Sequence, residues 1–106
     1  MKDGLSIIIC CYNSEERIGP VLNHIGNQKN TDSFQWEVIV VDNASTDNTT
    51  LVAQKAWHNQ KVHLRIIHEM TPGQSNARLK GLREAHYSVI VFVDDDNLLS
   101  ADYISR

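Results

Sequence analysis

The chain has 106 residues, 42% hydrophobic and 22% charged, enough for one buried core and too few for two. A formal charge of −3 and a pI near 5.9 supply no overall attraction to nucleic acid or to an anionic membrane surface, so neither is an expected partner. No apolar run approaches the roughly 18 residues of a membrane span, and Met1 to Gly4 carry no signal-peptide pattern, so the expected setting is the cytosol.

Leu5 to Cys11 (LSIIICC) forms a first predicted strand, broken by the turn-forming Tyr12-Asn13-Ser14. Its adjacent Cys10 and Cys11 fit buried, reduced thiols rather than a disulfide framework or a zinc site. Ile18, Val21, Leu22 and Ile25 then follow at the spacing of one helical face, with Pro20 placing the start near Arg17 or kinking it there. The polar stretch Asn27 to Ser33 reads as a surface connection. Trp36 to Val41 (WEVIVV) forms a second strand that exits on Asp42-Asn43. Ser45 or Thr46 is expected to cap the next helix, which turns Val52, Ala53, Ala56 and Trp57 inward. Val62 to His68 alternates, as suits an edge strand with one wetter face. Pro72-Gly73 has the residue order of a type II turn, and Ser75 can cap a helix in which Ala77, Gly81 and Ala85 recur every four residues. Small residues there let a helix lie close on a sheet. Val89 to Val93 suits a strand buried on both faces, and Asp94-Asp95-Asp96 follow at its exit. Ser100 looks like the cap of one more helix.

Four strands alternating with three helices predict an α/β fold: a Rossmann-like, doubly wound, mainly parallel four-stranded sheet with helices on both faces. Ligands of such sheets bind beyond the carboxyl ends of the strands, where strand order reverses. Tyr12-Asn13, Asp42-Asn43 and the three aspartates all come to that edge. Adjacent carboxylates repel one another unless a cation or donors offset the charge, and a hard divalent ion needs only one or two of them beside substrate phosphates. A solvated acidic turn is the plainer alternative. Asp42 can serve a turn, or accept a hydrogen bond from a uracil imide or a ribose hydroxyl. Tyr12 offers a ring to a base, or packs. Arg78, following a Gly-containing turn at a helix start, can clamp a diphosphate bidentately or pair on the surface. His63 and His68 fall on opposite strand faces, His24, His58 and His86 lie near helix ends, and no chemistry is assigned to them.

Four segments in order, SIIICCYNSEERI, WEVIVVDNASTDNT, PGQSNARLKGLREA and VIVFVDDDNLLSADYI, resemble the nucleotide-sugar-binding half of a family 2 glycosyltransferase of the GT-A fold. The resemblance implies transfer of a sugar, with inversion, from a nucleoside-diphosphate sugar, usually a UDP-sugar, to a hydroxyl of a saccharide or lipid-linked acceptor. It implies polysaccharide biosynthesis, at the cytoplasmic face of the membrane in the complete protein. It further implies that Cys11, Tyr12, Asn13 and Glu15 line the nucleobase pocket, that Asp42 hydrogen-bonds the base, and that Arg78 matches the family's Ala-Arg-Asn segment. Asp94 would lie near the ribose or metal, and Asp96 would hold the Mn²⁺ or Mg²⁺ that bridges the diphosphate. Leu79 stands where the family often has Asn, and Asp95 leaves open whether Asp94 with Asp96 or Asp95 with Asp96 is the working pair.

The catalytic base and the acceptor half are expected downstream. Residues 1–106 are therefore expected to form a single truncated domain, inactive alone and prone to self-association through uncovered surface. A catalytically incomplete nucleotide-binding or interaction domain is the alternative. A sugar-nucleotide nucleotidyltransferase would carry a Gly-rich loop where Cys11-Tyr12-Asn13-Ser14-Glu15 stands.

Overall fold

The computed structural model describes residues 2–28, 34–59 and 61–95. The expectations for Asp96, for Ser100 and for most of the connection between residues 27 and 33 lie outside the described residues. The elements in chain order are β1 (Lys2–Cys11), α1 (Ile18–Gly26), β2 (Trp36–Asp42), α2 (Thr49–Ala56), β3 (Leu64–His68), α3 (Gln74–Glu84) and β4 (Tyr87–Val93). The strands form one parallel sheet in the order β3-β2-β1-β4. This is the α/β, doubly wound fold the alternation of elements predicts.

Strand alternation divides the core in two. Ile7 and Ile9 of β1 with Val38 and Val40 of β2 face α1 and α2, where they bury Ile18, Val21, Leu22 and Ile25 of α1 and Ala53 of α2. Ile8, Ile39 and Val41 face α3 and meet Ala77 and Ala85. Pro20 falls on the third residue of α1, in the first turn, where a missing N–H breaks no helical bond. Among the described residues no helix is long and apolar enough to cross a membrane.

Helix starts and one strand depart from the sequence reading. α2 begins at Thr49, later than a Ser45 or Thr46 cap would allow, because Asp47 Oδ1 takes the Thr49 N–H at 3.0 Å while Ser45 serves another loop. α3 begins at Gln74, so Ser75 lies inside it. Gly73 has φ +123° and ψ 136°, a left-handed φ suited to glycine but not the ψ near 0° of a type II turn. β4 is an edge strand, with Val89 55% and Phe92 41% exposed, where burial on both faces was expected. A continuous apolar run does not distinguish a central strand from an edge strand.

Candidate functional site

Strand order reverses between β1 and β4. The chain moves outward from β1 through β2 to β3, and α3 then returns it to the far side of β1. A crevice opens at the carboxyl ends of these two strands, at the point of reversal. A cavity of about 230 Å³ lies there, lined by Cys10, Cys11, Tyr12, Asn43, Gln74 and Asp95 together with Ala77 of α3. Larger hollows of about 430 and 410 Å³ sit at the opposite end of the sheet around Asn59 and Val62, with no carboxylate in their walls. Of these three, the smaller one brings a carboxylate and a helix N-terminus together.

One rim of the crevice is built from two loops that exchange side-chain hydrogen bonds. Asn13 N donates to Ser45 Oγ at 2.9 Å and Thr46 N returns a bond to Asn13 Oδ1 at 2.8 Å. Glu15 N donates to Asp47 Oδ2 and Asn48 N to Glu15 Oε2, both at 3.2 Å, while the buried Ser14 N reaches Thr49 Oγ1 at 2.8 Å. Asn13 and Ala44 adopt left-handed backbone, φ 48° and 59°, a strained choice for alanine that this cross-bracing holds in place. Burial opposes ionisation of Asp47, but the donors from Thr49 and Glu15 outweigh it and keep its carboxyl below the usual range. Asn13 and Glu15, expected to face a nucleotide, thus spend their side chains on the neighbouring loop, and Tyr12 stands out of it 58% exposed.

Asp42 and Asn43 part company at the end of β2, since consecutive strand residues point to opposite faces. Asp42 is paired in register with His68, and its carboxylate takes the Ser45 N–H at 3.2 Å and lies 3.4 Å from His68 Nδ1, away from the cavity. Asn43 lines the cavity instead and organises its far wall. Its Nδ2 donates to Glu69 O and Thr71 O at 3.0 and 2.9 Å, and its Oδ1 accepts the Gly73 N–H at 3.0 Å. That anchoring aims the N-terminus of α3, and Gln74 with it, at the cavity. Arg78 lies one turn further along α3, exposed, with its guanidinium 5.4 Å from the centroid of the Phe92 ring.

Asp94 is exposed at the exit of β4. Asp95 is drawn inward, accepting from the Ser14 hydroxyl and from Arg17 Nη2, the latter at 3.2 Å. Burial first, then the nearby Asp95 charge, push the Cys11 thiol up to about 12, and burial likewise raises Cys10. Neither cysteine is a thiolate at neutral pH, so both act as apolar lining rather than as nucleophiles.

The profile of glycosyl transferase family 2 matches residues 6–106. The chain belongs to glycosyl transferase family 2. Poly(ribitol-phosphate) beta-N-acetylglucosaminyltransferase TarS of Staphylococcus aureus is 32% identical over 103 residues, which are 95% of this chain and 17% of TarS. Dodecaprenyl-phosphate galacturonate synthase of Rhizobium johnstonii is 30% identical over 87% of this chain and 28% of its own length. The crystal structure of S. aureus TarS 1–349 in complex with UDP superposes with a TM-score of 0.84 at 31% identity, over 99% of this chain and 30% of that one. The mannosyltransferase PcManGT from Pyrobaculum calidifontis, in complex with GDP-Man and Mn²⁺, superposes with a TM-score of 0.81 at 28% identity, over 92% of this chain and 29% of that one. The chain therefore spans less than a third of each of these relatives and carries the nucleotide-binding half of the GT-A fold.

Among the described residues no three His, Cys, Asp or Glu side chains converge on a metal position. The residues still fit a hard divalent ion, which takes one or two carboxylates and completes its shell with water and substrate phosphates. Asp94 is an exposed oxygen donor of that kind, next in the chain to the cavity-lining Asp95. Sequence reasoning missed Asn43 and Ser14 as organisers of the site. For Asn43 a signal existed, since period-two alternation already sets it opposite Asp42; for Ser14, whose partners lie 35 and 81 residues away, none did.

Proposed function

We propose that this chain is the donor-binding half of an inverting glycosyltransferase whose donor is a UDP-sugar and whose acceptor, in the complete protein, is a hydroxyl of a saccharide or lipid-linked substrate at the cytoplasmic face of the membrane. The observation that carries the reading is the cavity at the β1/β4 switch point, edged by an exposed tyrosine, a helix N-terminus and the aspartate turn in a chain of this family. The UDP complex of TarS supports uridine as the base.

Tyr12 presents its ring to the base. The free N–H groups of the first turn of α3 and the Arg78 guanidinium, released from Phe92, take up charge on the diphosphate. Asp94 and Asp96 would hold Mn²⁺ or Mg²⁺, which when bound supplies positive charge beside the departing diphosphate. An acceptor oxygen forms its bond to the anomeric carbon on the face opposite the breaking sugar–phosphate bond, and its proton passes to a base contributed from outside this chain. The cavity is smaller than the roughly 300–1,000 Å³ of ordinary small-molecule sites, which supports a division of the site between this half and another.

Calorimetric titration of UDP, with and without Mn²⁺, into the wild-type chain and into Asp94→Ala and Asp96→Ala tests the reading. Binding strengthened by Mn²⁺, with the gain lost in either variant, is the expected result. Absence of UDP binding under every condition would overturn the donor role for this chain, and sugar transfer by the 106-residue chain alone would overturn the division of labour.

A further inference from the structure

We infer that Arg17 is a positioning residue for the donor site: acting through Asp95, it fixes the aspartate turn after β4 against the nucleobase-facing loop after β1. The inference rests on the donor-site reading above. Arg17 occupies the residue before α1, and its Nη2 lies 3.2 Å from Asp95 Oδ2 and from Ser14 Oγ, and 3.4 Å from the carbonyl oxygens of Tyr12 and Asn13. One nitrogen with two hydrogens cannot satisfy four acceptors fully, so it acts as a shared hub rather than one strong bond. The Ser14 hydroxyl donates to the same Asp95 oxygen, and Ser14 is itself locked by its N–H on Thr49 Oγ1.

Two consequences follow for the aspartate triplet. The middle carboxylate is turned toward β1–α1 and removed from competition for a cation, while Asp94 stays exposed. A positive charge also sits against Asp95 before any metal arrives, which offsets part of its repulsion with the neighbouring carboxylate. The Arg17 side chain is 47% exposed, so the pair contributes little to stability, and its effect is on where the aspartates stand relative to Tyr12. A role confined to stability would leave the coupling between metal and nucleotide untouched. A positioning role changes it.

The test is the ratio of UDP affinities with and without Mn²⁺, measured by calorimetry for wild type, Arg17→Ala, Arg17→Lys, Asp95→Asn and the double variant Arg17→Ala/Asp95→Asn, with Asp94→Ala as control. The ratio is expected to fall about fivefold in Arg17→Ala and in Asp95→Asn, to fall no further in the double variant, and to recover partly in Arg17→Lys. A wild-type ratio in Arg17→Ala, or losses that multiply in the double variant, would overturn the role of Arg17. If UDP binds the wild type under no condition, the donor-site reading fails and this inference with it; if UDP binds but Mn²⁺ brings no gain, the metal-coupling role is overturned while the donor role stands. A gain present in the wild type, lost in Asp94→Ala and intact in Arg17→Ala defeats the inference alone.

Discussion

Glu37 is the second residue of β2, a strand buried along its whole length, and is only 4% exposed. Its charge is tolerated because both oxygens are occupied. Oε2 accepts from Ser6 Oγ and from the His86 N–H, each at 2.7 Å, and Oε1 lies 3.2 Å from His86 Nδ1 and 3.4 Å from an Arg65 nitrogen. Burial works to raise its pKa, but the His86 N–H, the Ser6 hydroxyl and the His86 and Arg65 charges prevail and leave it lowered. The unfolded chain, with an ordinary Glu near about 4.3, then binds more protons than the native state in the window below that value. The stabilisation from Glu37 is therefore complete above that pH and is lost as pH falls through the lowered native value. Urea unfolding across pH 7 to 3 is expected to show this loss in the wild type. Glu37→Gln should be destabilised by about 2 kcal/mol at neutral pH and show a flatter acid limb. An unchanged acid limb in the variant would contradict the assignment.

At the scale of an element, α3 shows what the small residues are for. A Cβ on Gly81 would lie 2.6 Å from Ile8 Cγ2 and 3.4 Å from Val41 Cγ2, and both side chains are fully buried. Alanine would gain about 1 kcal/mol in helix propensity, against about 1–3 kcal/mol for overpacking beside a branched side chain that has nowhere to go. Overpacking wins at 2.6 Å, and Gly81→Ala is expected to lower the melting temperature by about 4–8 °C; a variant as stable as wild type would mean that α3 can lift off the sheet. The Ala77, Gly81 and Ala85 spacing was legible in the sequence, as were all four strands and the α1 face, because burial writes itself as periodicity. Helix starts were not. Ser45, Thr46 and Ser75 have capping chemistry, yet Ser45 and Thr46 bond the β1–α1 loop across more than thirty residues, and Asn48 and Gly73 stand at the true starts, with Asp47 accepting the Thr49 N–H. Glu37 hid inside WEVIVV for the same reason, since its partners come from β1, β3 and the residue before β4. Of the candidate site, the place of the crevice and the arrival of Asp95 at it were legible from strand exits alone. The inward turn of Asp95 depends on contacts with Ser14 and Arg17 that no local pattern contains, whereas strand alternation alone sets Asp42 opposite Asn43.

For the whole molecule, the outer edge of β4 carries backbone groups that pair with no described strand, flanked by the exposed Val89 and Phe92. The isolated chain is expected to self-associate along this edge, giving light-scattering masses that rise with concentration, and Val89→Lys should shift it toward monomer. A single monomer mass at high concentration would contradict this. The opposite side of the crevice behaves differently. The N–H groups of Asn13, Ser14, Glu15, Thr46, Asn48 and Thr49 are all bonded to side chains although they lie at or between the element ends. Such amides are expected to exchange hydrogen with solvent as slowly as strand amides, so that this rim opens together with β1 and β2 and not by itself. On the proposed reading, an arriving nucleotide meets a wall whose entropy was surrendered during folding, and none of its affinity is diverted to ordering that wall.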